Sequence, residues 1–386
     1  MKVPLAVPNL EGREAEYLQE CVRSTFVSSA GPFVTEFGDQ IAVLSGTERA
    51  AVTCSGTVAL QMALEGLGIG AGDLVMVPSL TFIASPNSVR HSGADVWLAD
   101  CTSRDWTLDL DLAREAIEDH TDPHSRGRRH RSTGQVLTAV MPVMIMGASL
   151  DFDAIVGFAR EYGLRVVVDA AAAIGATGAG GVQLGATGVD AVCYSFNGNK
   201  TITSGGGGAV TSLDSDLVDR IEHLVTTGRV GSAYEHDVVA YNFRMTNVEA
   251  AIGVAQVERL PAFIERKRQV SKRYAAFAEL HPHLSPFPTP TEGRSVHWFS
   301  GVFYSGDDPD RCADFAAYMV DRGIDVRPFW KPVHLQTPYR ESIRTSMDVT
   351  ERIWGRIVPL PCSTGITDAE LDYVVACATD FWNPRD

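Results

Sequence analysis

A lysine that follows an apolar segment is the residue of this chain best suited to covalent chemistry. Lys200 comes after the segment 189–196 and before the glycine run 205–208. A lysine in an apolar setting readily loses its proton, and its neutral amine can form a Schiff base with a carbonyl group. Most lysines are solvated surface groups, so Lys200 by itself does not establish a site. Other polar residues at the ends of apolar segments must decide between the two interpretations.

Three further groups occupy such positions. Asp169 ends the run 166–169, and a carboxylate there needs a partner, either the start of the next helix or a protonated nitrogen. The stretch 55–57 (Ser-Gly-Thr) can bind a phosphate through its N–H groups and hydroxyls, or it can simply cap a helix. Phe82 can cover a flat ring or belong to the core. These groups suggest a ligand with a phosphate, a ring and a basic nitrogen.

The elements that must position these groups follow an α/β pattern. Helical periodicity is present at 58–67 and around 85–92. Apolar strand-like segments span 50–54, 73–78, 94–100, 135–142, 164–169 and 189–196. Strands that are apolar on both faces and separated by helices predict a mainly parallel sheet covered on both sides. Ligands bind at the carboxyl ends of such strands, so we expect the candidate residues to meet at one edge.

The remaining segments predict a polar loop and a second, smaller domain. The polar stretch 120–132 predicts a solvated loop. The alternative is that its basic cluster contacts an anionic ligand. A long helix is predicted over 247–268, followed by strand character at 296–304 and helical character at 311–322. We therefore expect an N-terminal arm over residues 1–30, a large domain over 31–260 and a small C-terminal α+β domain over 261–386.

Composition excludes several classes of protein. A formal net charge of −15 over 386 residues argues against nucleic-acid binding but allows a local basic pocket for a small anion. The seven cysteines form no CxxC pair, which predicts reduced thiols in a cytoplasmic protein and no zinc or other metal site. We find no signal peptide and no apolar run near the ~20 residues of a membrane span.

One cofactor would use all four candidate groups together. Pyridoxal phosphate needs a phosphate cradle, a carboxylate for its pyridine nitrogen, an aromatic cover and a Schiff-base lysine. The carboxylate keeps the ring nitrogen protonated, so the ring can accept the electrons released when a substrate C–H bond breaks. The order of these groups along one α/β domain is more specific than any of them alone.

Seven motifs extend this pattern over nearly the whole chain: Val27–Pro32, Ser55–Leu60, Pro78–Ala84, Asp169–Ala171, Ser195–Lys200, Tyr241–Asn247 and Arg327–Gln336. Through them the sequence resembles the DegT/DnrJ/EryC1/StrS family of sugar aminotransferases, within the fold type I pyridoxal-phosphate enzymes. The resemblance implies a large domain with a mostly parallel seven-stranded sheet between helices, and a smaller C-terminal domain. The stretches 195–200 and 330–336 are most similar to the legionaminic-acid-pathway branch, which acts at C4 of a nucleotide-linked 4-keto-6-deoxy-2-acetamido sugar.

The resemblance also implies roles for the residues that bind the cofactor. Lys200 would form the Schiff base and move the proton during catalysis, and Asp169 would pair with the pyridine nitrogen. Phe82 would stack on the ring. The phosphate would be held by Gly56, Thr57 and Ser195.

Three more residues are implied to act near the substrate or the subunit interface. Family active sites form at a homodimer interface, so Asn242 would reach the phosphate bound to the partner subunit. Arg244 and His334 would lie near the substrate. Without the motif, a loop histidine whose hydrogen bonds are satisfied within the protein is the simpler interpretation of His334.

The implied reaction is a transamination in two stages. L-glutamate would leave its amino group on the cofactor as pyridoxamine phosphate, and a nucleotide-linked keto sugar would take it up. A keto-cyclitol or another natural-product intermediate is an alternative acceptor. A sugar dehydratase is a second alternative, but those relatives carry histidine in place of the lysine that is present here as Lys200. A non-enzymatic regulator or scaffold is a third, which the retained Lys200 and Asp169 disfavour.

One position departs from the family pattern. Relatives usually have Gln, His or Glu three residues after the aspartate, near the phenolic oxygen of the cofactor, and here that residue is Ala172. The stretch 144–147 is also less polar than in relatives. We therefore expect an apolar wall on this side of the pocket, which keeps the identity of the substrate open.

Overall fold

The computed structural model of the chain describes residues 1–290 and 292–383. Nine strands precede the long helix: β1 (Ala50–Thr53), β2 (Asp73–Pro78), β3 (Asp95–Ala99), β4 (Thr121–His124), β5 (Gly127–His130), β6 (Val136–Val140), β7 (Arg165–Asp169), β8 (Ala191–Ser195) and β9 (Gly208–Thr211). Three strands follow it: β10 (Leu284–Pro286), β11 (Ser300–Tyr304) and β12 (Ile357–Leu360).

The helices alternate with the strands of the first sheet and continue into the C-terminal part. They are α1 (Glu14–Ser24), α2 (Pro32–Ser45), α3 (Gly56–Gly66), α4 (Ala84–His91), α5 (Leu110–His120), α6 (Phe152–Tyr162), α7 (Ser215–Val225), α8 (Asn247–Ala278), α9 (Arg311–Asp321), α10 (Asp348–Ile353) and α11 (Asp368–Trp382). No described helix combines the length and the apolar content that crossing a membrane requires.

The central sheet has the predicted seven-stranded, mostly parallel core. Its order is β1-β9-β8-β7-β6-β2-β3, in which β9 runs antiparallel to both neighbours and the other neighbouring pairs are parallel. Every residue of β2, β6 and β8 is buried, because helices cover both faces of the sheet. The α/β prediction is therefore confirmed, and the strand ends that carry Asp169 and Ser195 lie side by side.

The predicted polar loop at 120–132 is wrong: this stretch is the hairpin β4–β5, which extends the sheet to nine strands. β5 pairs antiparallel with the first half of β6, through Arg128 opposite Leu137. The inward side of the hairpin is buried, with the His130 ring 4.9 Å from that of Trp97. A hairpin at a sheet edge keeps one polar face, and here that face carries arginines. Because of these arginines, the stretch has the composition of a loop.

A smaller antiparallel sheet, β10-β11-β12, forms the C-terminal core with α9 and α11. The start of the chain packs there too, since Val3 donates its N–H to Gly323 O at 2.9 Å and Leu5 O accepts from Cys362 N at 2.8 Å. Helix α8 begins at a capping box of Thr246 and Glu249 and continues ten residues beyond its predicted end. It runs unbroken across the predicted domain boundary at 260, which stays a prediction.

Candidate active site

A cavity of about 340 Å³ lies at the carboxyl ends of β7 and β8, beside the first turn of α3. Six of the predicted site residues line it: Gly56, Thr57, Phe82, Asp169, Ser195 and Lys200. The remaining walls come from the segment after β6 and from aromatic residues of the C-terminal part, namely Trp298, Phe299 and Trp330. The cavity is therefore shared between the two sheets of the molecule.

The first turn of α3 is built as a cradle for an anion. Ser55 caps this helix by accepting the Val58 N–H at 3.2 Å, and the N–H groups of a first helical turn have no acceptor within the helix. A Cβ added to Gly56 would lie 2.6 Å from the Cβ of Ser195, so only glycine lets the helix start approach the end of β8. The Ser195 side chain thereby faces the same turn.

The glycine run after Lys200 also allows the backbone to pack closely against the start of α3. Gly205 and Gly207 have φ values of +85° and +96°, and Gly207 forms a bridge with Ser55. At Gly208, the first residue of β9, an added Cβ would lie 2.5 Å from the Ser55 carbonyl oxygen. The run is thus a turn that enters an antiparallel strand, which the sequence alone did not predict.

Asp169 is a buried carboxylate held by two donors. Ser85 Oγ donates to its Oδ2 at 2.7 Å, and the Ala171 N–H donates to its Oδ1 at 3.0 Å. Thr81 lies behind Ser85, with 2.9 Å between the hydroxyl oxygens. Asp169 is 6% exposed and lines the cavity, so its carboxyl group faces the space in which a protonated ring nitrogen would lie.

Lys200 presents a reactive amine to the cavity. Burial lowers the pKa of Lys200 to about 8, although the nearby Asp169 carboxylate acts in the opposite direction. The Lys200 Nζ lies 4.0 Å from the ring centroid of Trp298. A lysine whose pKa lies near neutrality has a substantial neutral fraction, which a Schiff-base nucleophile requires.

Aromatic and apolar side chains close the rest of the cavity. Phe82 is 52% exposed at its edge, with its ring centroid 5.5 Å from that of Trp330. Ala172, Met144 and Met146 are buried and line one side. The expected apolar wall beside Ala172 is therefore present.

The other three predicted residues lie outside this cavity. Asn242 is exposed, and Arg244 lines a separate cavity of about 300 Å³ with acidic residues of α7. The adjoining Phe243 O accepts the Cys54 N–H at 2.8 Å, so this segment runs beside the start of α3. His334 is buried with both ring nitrogens bonded, Nδ1 to Ser79 Oγ at 2.7 Å and Nε2 to Glu351 Oε1 at 3.1 Å.

His334 thus has the geometry of the satisfied loop histidine, and the structure does not bring it to the cavity. Sequence reasoning missed Ser85 and Trp298. A hydroxyl in the first turn of α4 gives no distinctive signal in the sequence. Trp298 lies about 100 residues from Lys200 along the chain, and only the tertiary fold brings the two together.

The cavity fits pyridoxal phosphate. The crowded Gly56–Ser195 contact leaves room for an anion but not for a larger side chain at position 56. The Asp169 carboxylate suits a protonated pyridine nitrogen, and the Lys200 amine suits the aldehyde of the cofactor. When bound, this cofactor supplies an electron sink and a carbon that carries an amino group.

Comparison with known proteins agrees with this geometry. GDP-perosamine synthase of Caulobacter vibrioides is 36% identical over 378 residues, covering 97% of each chain, and GDP-perosamine synthase of Escherichia coli O157:H7 is 32% identical over 389 residues, covering 99% of each. The crystal structure of S. venezuelae DesV superposes with a TM-score of 0.85 at 27% identity, covering 97% of this chain and 95% of that one.

These similarities do not single out the legionaminic-acid-pathway branch, which stays a prediction. They do agree with the match of a whole-family model, which covers residues 8–379. The chain belongs to the DegT/DnrJ/EryC1/StrS aminotransferase family and is a pyridoxal-phosphate-dependent aminotransferase.

Proposed function

We propose that the protein transfers the amino group of L-glutamate to the keto carbon, C4, of a nucleotide-linked 4-keto-6-deoxy sugar. The observation that carries the proposal is the convergence of Lys200, Asp169 and the α3 cradle on one cavity with room beyond them for a substrate. Relatives named GDP-perosamine synthase, similar over almost the whole chain, support a nucleotide-linked amino sugar as the product.

Each residue of the cavity has a role that follows from its position. The N–H groups of Gly56 and Thr57 and the Ser195 hydroxyl would hold the phosphate. Asp169 would hold a positive charge at the ring nitrogen, and Ser85 fixes the orientation of that carboxylate. The Lys200 Nζ would take a proton from the substrate carbon that bears nitrogen and deliver it to the cofactor carbon on the other side of that nitrogen.

A second cavity gives space for the nucleotide. It measures about 340 Å³ and shares Phe82, Asn199, Phe299 and Trp330 with the first cavity. Arg327 lines its far side and is 70% exposed at the side chain, although it also pairs with Asp325 at 2.9 Å. A guanidinium beside aromatic rings suits a diphosphate next to a base, and it provides a local cation on an acidic protein.

We further propose that the enzyme is a homodimer in which Asn242 reaches the phosphate bound to the partner subunit. Asn242 is exposed in its own chain, and the neighbouring stretch carries apolar side chains in solvent, with Val239 98% exposed and Tyr234 88% exposed. Apolar side chains at this exposure suit a subunit interface. The seven cysteines are free, and we expect them to stay reduced in the cytoplasm.

An aminotransferase acting on a keto-cyclitol is the second candidate. The apolar wall of Ala172, Met144 and Met146 favours it over a more polar sugar pocket. The two candidates differ in whether the second cavity is used, because a cyclitol carries no nucleotide.

The test is a panel of acceptors assayed with L-glutamate. It comprises 4-keto-6-deoxy sugars linked to GDP, UDP and dTDP, with and without a 2-acetamido group, and a keto-cyclitol, with amino products detected by mass spectrometry. We expect amination of at least one nucleotide sugar, loss of product in Lys200→Ala, and wild-type turnover in Lys272→Ala, which changes an exposed lysine of α8.

The second cavity is tested in the same assay by Arg327→Ala. This change should raise KM by roughly 10-fold with little effect on kcat, since the lost contact binds the ground state and the transition state equally. Amination of the cyclitol alone, or normal activity in Lys200→Ala, would sink the proposed function.

A further inference from the structure

A buried lysine lies behind the active site and takes no part in the chemistry described above. The chain has five lysines, at positions 2, 200, 267, 272 and 331, and Lys267 on α8 is 2% exposed. No carboxylate in the described residues lies within ion-pair distance of it. Its Nζ instead donates to Trp298 O at 2.7 Å and to Cys362 O at 2.6 Å.

Such an arrangement is costly, because a buried ammonium without an acid to neutralise it keeps a large desolvation penalty. Burial lowers the pKa of Lys267, and Cys362 acts in the opposite direction. A buried methionine of similar length would avoid this cost. The amine is therefore best understood through the two carbonyls that it joins, which belong to segments far apart in sequence.

The segment around Trp298 is held from a second side as well. The preceding residue, His297, has a φ of +51°, a conformation that the surroundings must enforce. Val296 donates its N–H to Gly147 O at 2.9 Å. A Cβ added to Gly147 would lie 3.0 Å from the Trp298 nitrogen, so the turn before α6 packs directly against this backbone.

The Trp298 side chain contacts the catalytic lysine in two ways. Its ring face lies 4.0 Å from the Lys200 Nζ, measured to the ring centroid. Its Nε1 donates to Asn199 O at 2.7 Å, which fixes the peptide group immediately before Lys200. The indole is 2% exposed, so the surrounding protein holds it in place. One rigid side chain therefore holds both the backbone and the amine of Lys200.

We propose that Trp298 is a positioning residue for Lys200 and that the Lys267 amine holds Trp298 in place from the small C-terminal core. The ring face favours the charged form of the lysine, since an ammonium is attracted to the negative face of an indole. Burial favours the neutral form, and Asp169 is the carboxylate that acts in the same direction as the ring. The Lys200 amine is thereby kept between its two protonation states and directed into the cavity.

The inference is tested on the protein without cofactor, by nuclear magnetic resonance of lysine labelled with ¹³C at Cε. Five lysines give few signals, and Lys200→Ala assigns the one of interest. Trp298→Leu should lower the pKa of Lys200 from about 8 by roughly half a unit to one unit, because it removes the ring face but keeps an apolar contact. Trp298→Phe keeps a ring face and should leave that pKa within about 0.3 units.

Affinity for pyridoxal phosphate gives a second readout. Trp298→Phe loses the bond to Asn199 O and should weaken binding by roughly 5-fold to 10-fold, since a buried carbonyl is left without its donor. Lys267→Met should weaken binding to a similar degree and lower the pKa of Lys200 in the same direction as Trp298→Leu. Lys272→Met, an exposed change on the same helix, should alter neither quantity.

Thermal melting and circular dichroism of each variant separate misfolding from misplacement. A folded Trp298→Leu protein with the wild-type pKa of Lys200 would overturn the inference. If Trp298→Leu does not fold, Trp298→Phe and Lys267→Met decide: wild-type cofactor affinity in both overturns the inference, and weakened affinity in folded protein supports it.

Discussion

At the scale of single residues, this active site depends on two charges whose surroundings are opposite in kind. Burial of Lys200 favours a neutral nucleophile, whereas the indole face against its amine favours the charged form. Asp169 is 6% exposed, and two donors hold its oxygens in place. Groups with such contrasting environments are the ones that divide acid, base and electrostatic roles in enzymes.

The first residue-scale prediction concerns the pH dependence of cofactor uptake. The neutral amine attacks the aldehyde, so the rate at which protein without cofactor takes up pyridoxal phosphate should rise with pH and level off above about 8. At pH 7 roughly 10% of Lys200 amines are neutral, against about 0.03% for a lysine with a pKa of 10.5. Stopped-flow absorbance across pH 6 to 10 measures the midpoint, and a rate still rising steeply at pH 10 contradicts the prediction.

A second prediction at this scale concerns Asp169. Replacing it in Asp169→Asn removes the charge and keeps the shape, so kcat should fall by roughly 100-fold to 1000-fold because the protonated ring nitrogen loses its counter-charge. Ser85→Ala removes one donor to the same carboxylate and should cost about 10-fold or less. Steady-state kinetics of both variants check the order, and an Asp169→Asn enzyme within about 3-fold of wild type would show that the carboxylate has another role.

At the scale of elements, the site is made where helix and strand ends meet. The start of α3, the ends of β7 and β8 and the glycine turn before β9 come together, because parallel strands bring their carboxyl ends to one edge. The approach is so close that Gly56 and Gly208 have no space for a side chain. Backbone packing here, more than side-chain chemistry, sets the shape of the phosphate site.

The element-scale prediction uses this lack of space. In Gly56→Ala the new methyl group must push α3 away from Ser195, so affinity for pyridoxal phosphate should weaken by about 10-fold or more. Gly157→Ala is the matched control, since nothing lies within 4 Å of its Cβ position inside α6. That control should bind normally and gain up to about 1 kcal/mol of stability from helix propensity. Equilibrium titration measures the affinity of both variants for pyridoxal phosphate, and thermal melting measures their stability. Equal affinity in the two variants contradicts the prediction that the start of α3 binds the phosphate.

At the scale of the whole molecule, residues of both sheets complete one cavity. Helix α8 supplies buried side chains to the large and the small core, and Lys267 lies in the second of these regions. The C-terminal part therefore contributes Trp298, Phe299 and Trp330 to a site whose lysine, Lys200, lies between β8 and β9 of the central sheet. We therefore expect a change in the small core to reach Lys200 through Lys267 and Trp298.

The whole-molecule prediction concerns the proposed homodimer. If Asn242 serves the partner subunit, Lys200→Ala and Asn242→Ala proteins should each be nearly inactive. Purified mixed dimers of the two should recover about half of wild-type activity, since each has one intact site out of two. Co-expression with two affinity tags and light scattering provide the measurement. No recovery in purified mixed dimers would show that Asn242 acts within its own chain or not at all.

The local order of residues determined much of this protein. Buried strands and their flanking polar residues predicted the parallel sheet, its ligand edge and the roles of Lys200 and Asp169, because strand burial and strand ends are encoded in adjacent residues. The sequence did not predict the hairpin β4–β5 or strand β9. Their pairing depends on the neighbouring strands β6 and β8 rather than on their own composition.

Only the tertiary structure decided which distant residues reach the site. It brought Trp298 to Lys200, turned His334 away from the cavity and placed Ser85 on Asp169. These contacts join segments that are far apart in the chain. The C-terminal part supplies Trp298 and His334, whereas the Ser85 contact joins α4 to β7. The residues at strand ends can be predicted from the local sequence. Contacts between separate elements cannot, because they depend on how the surfaces of those elements pack.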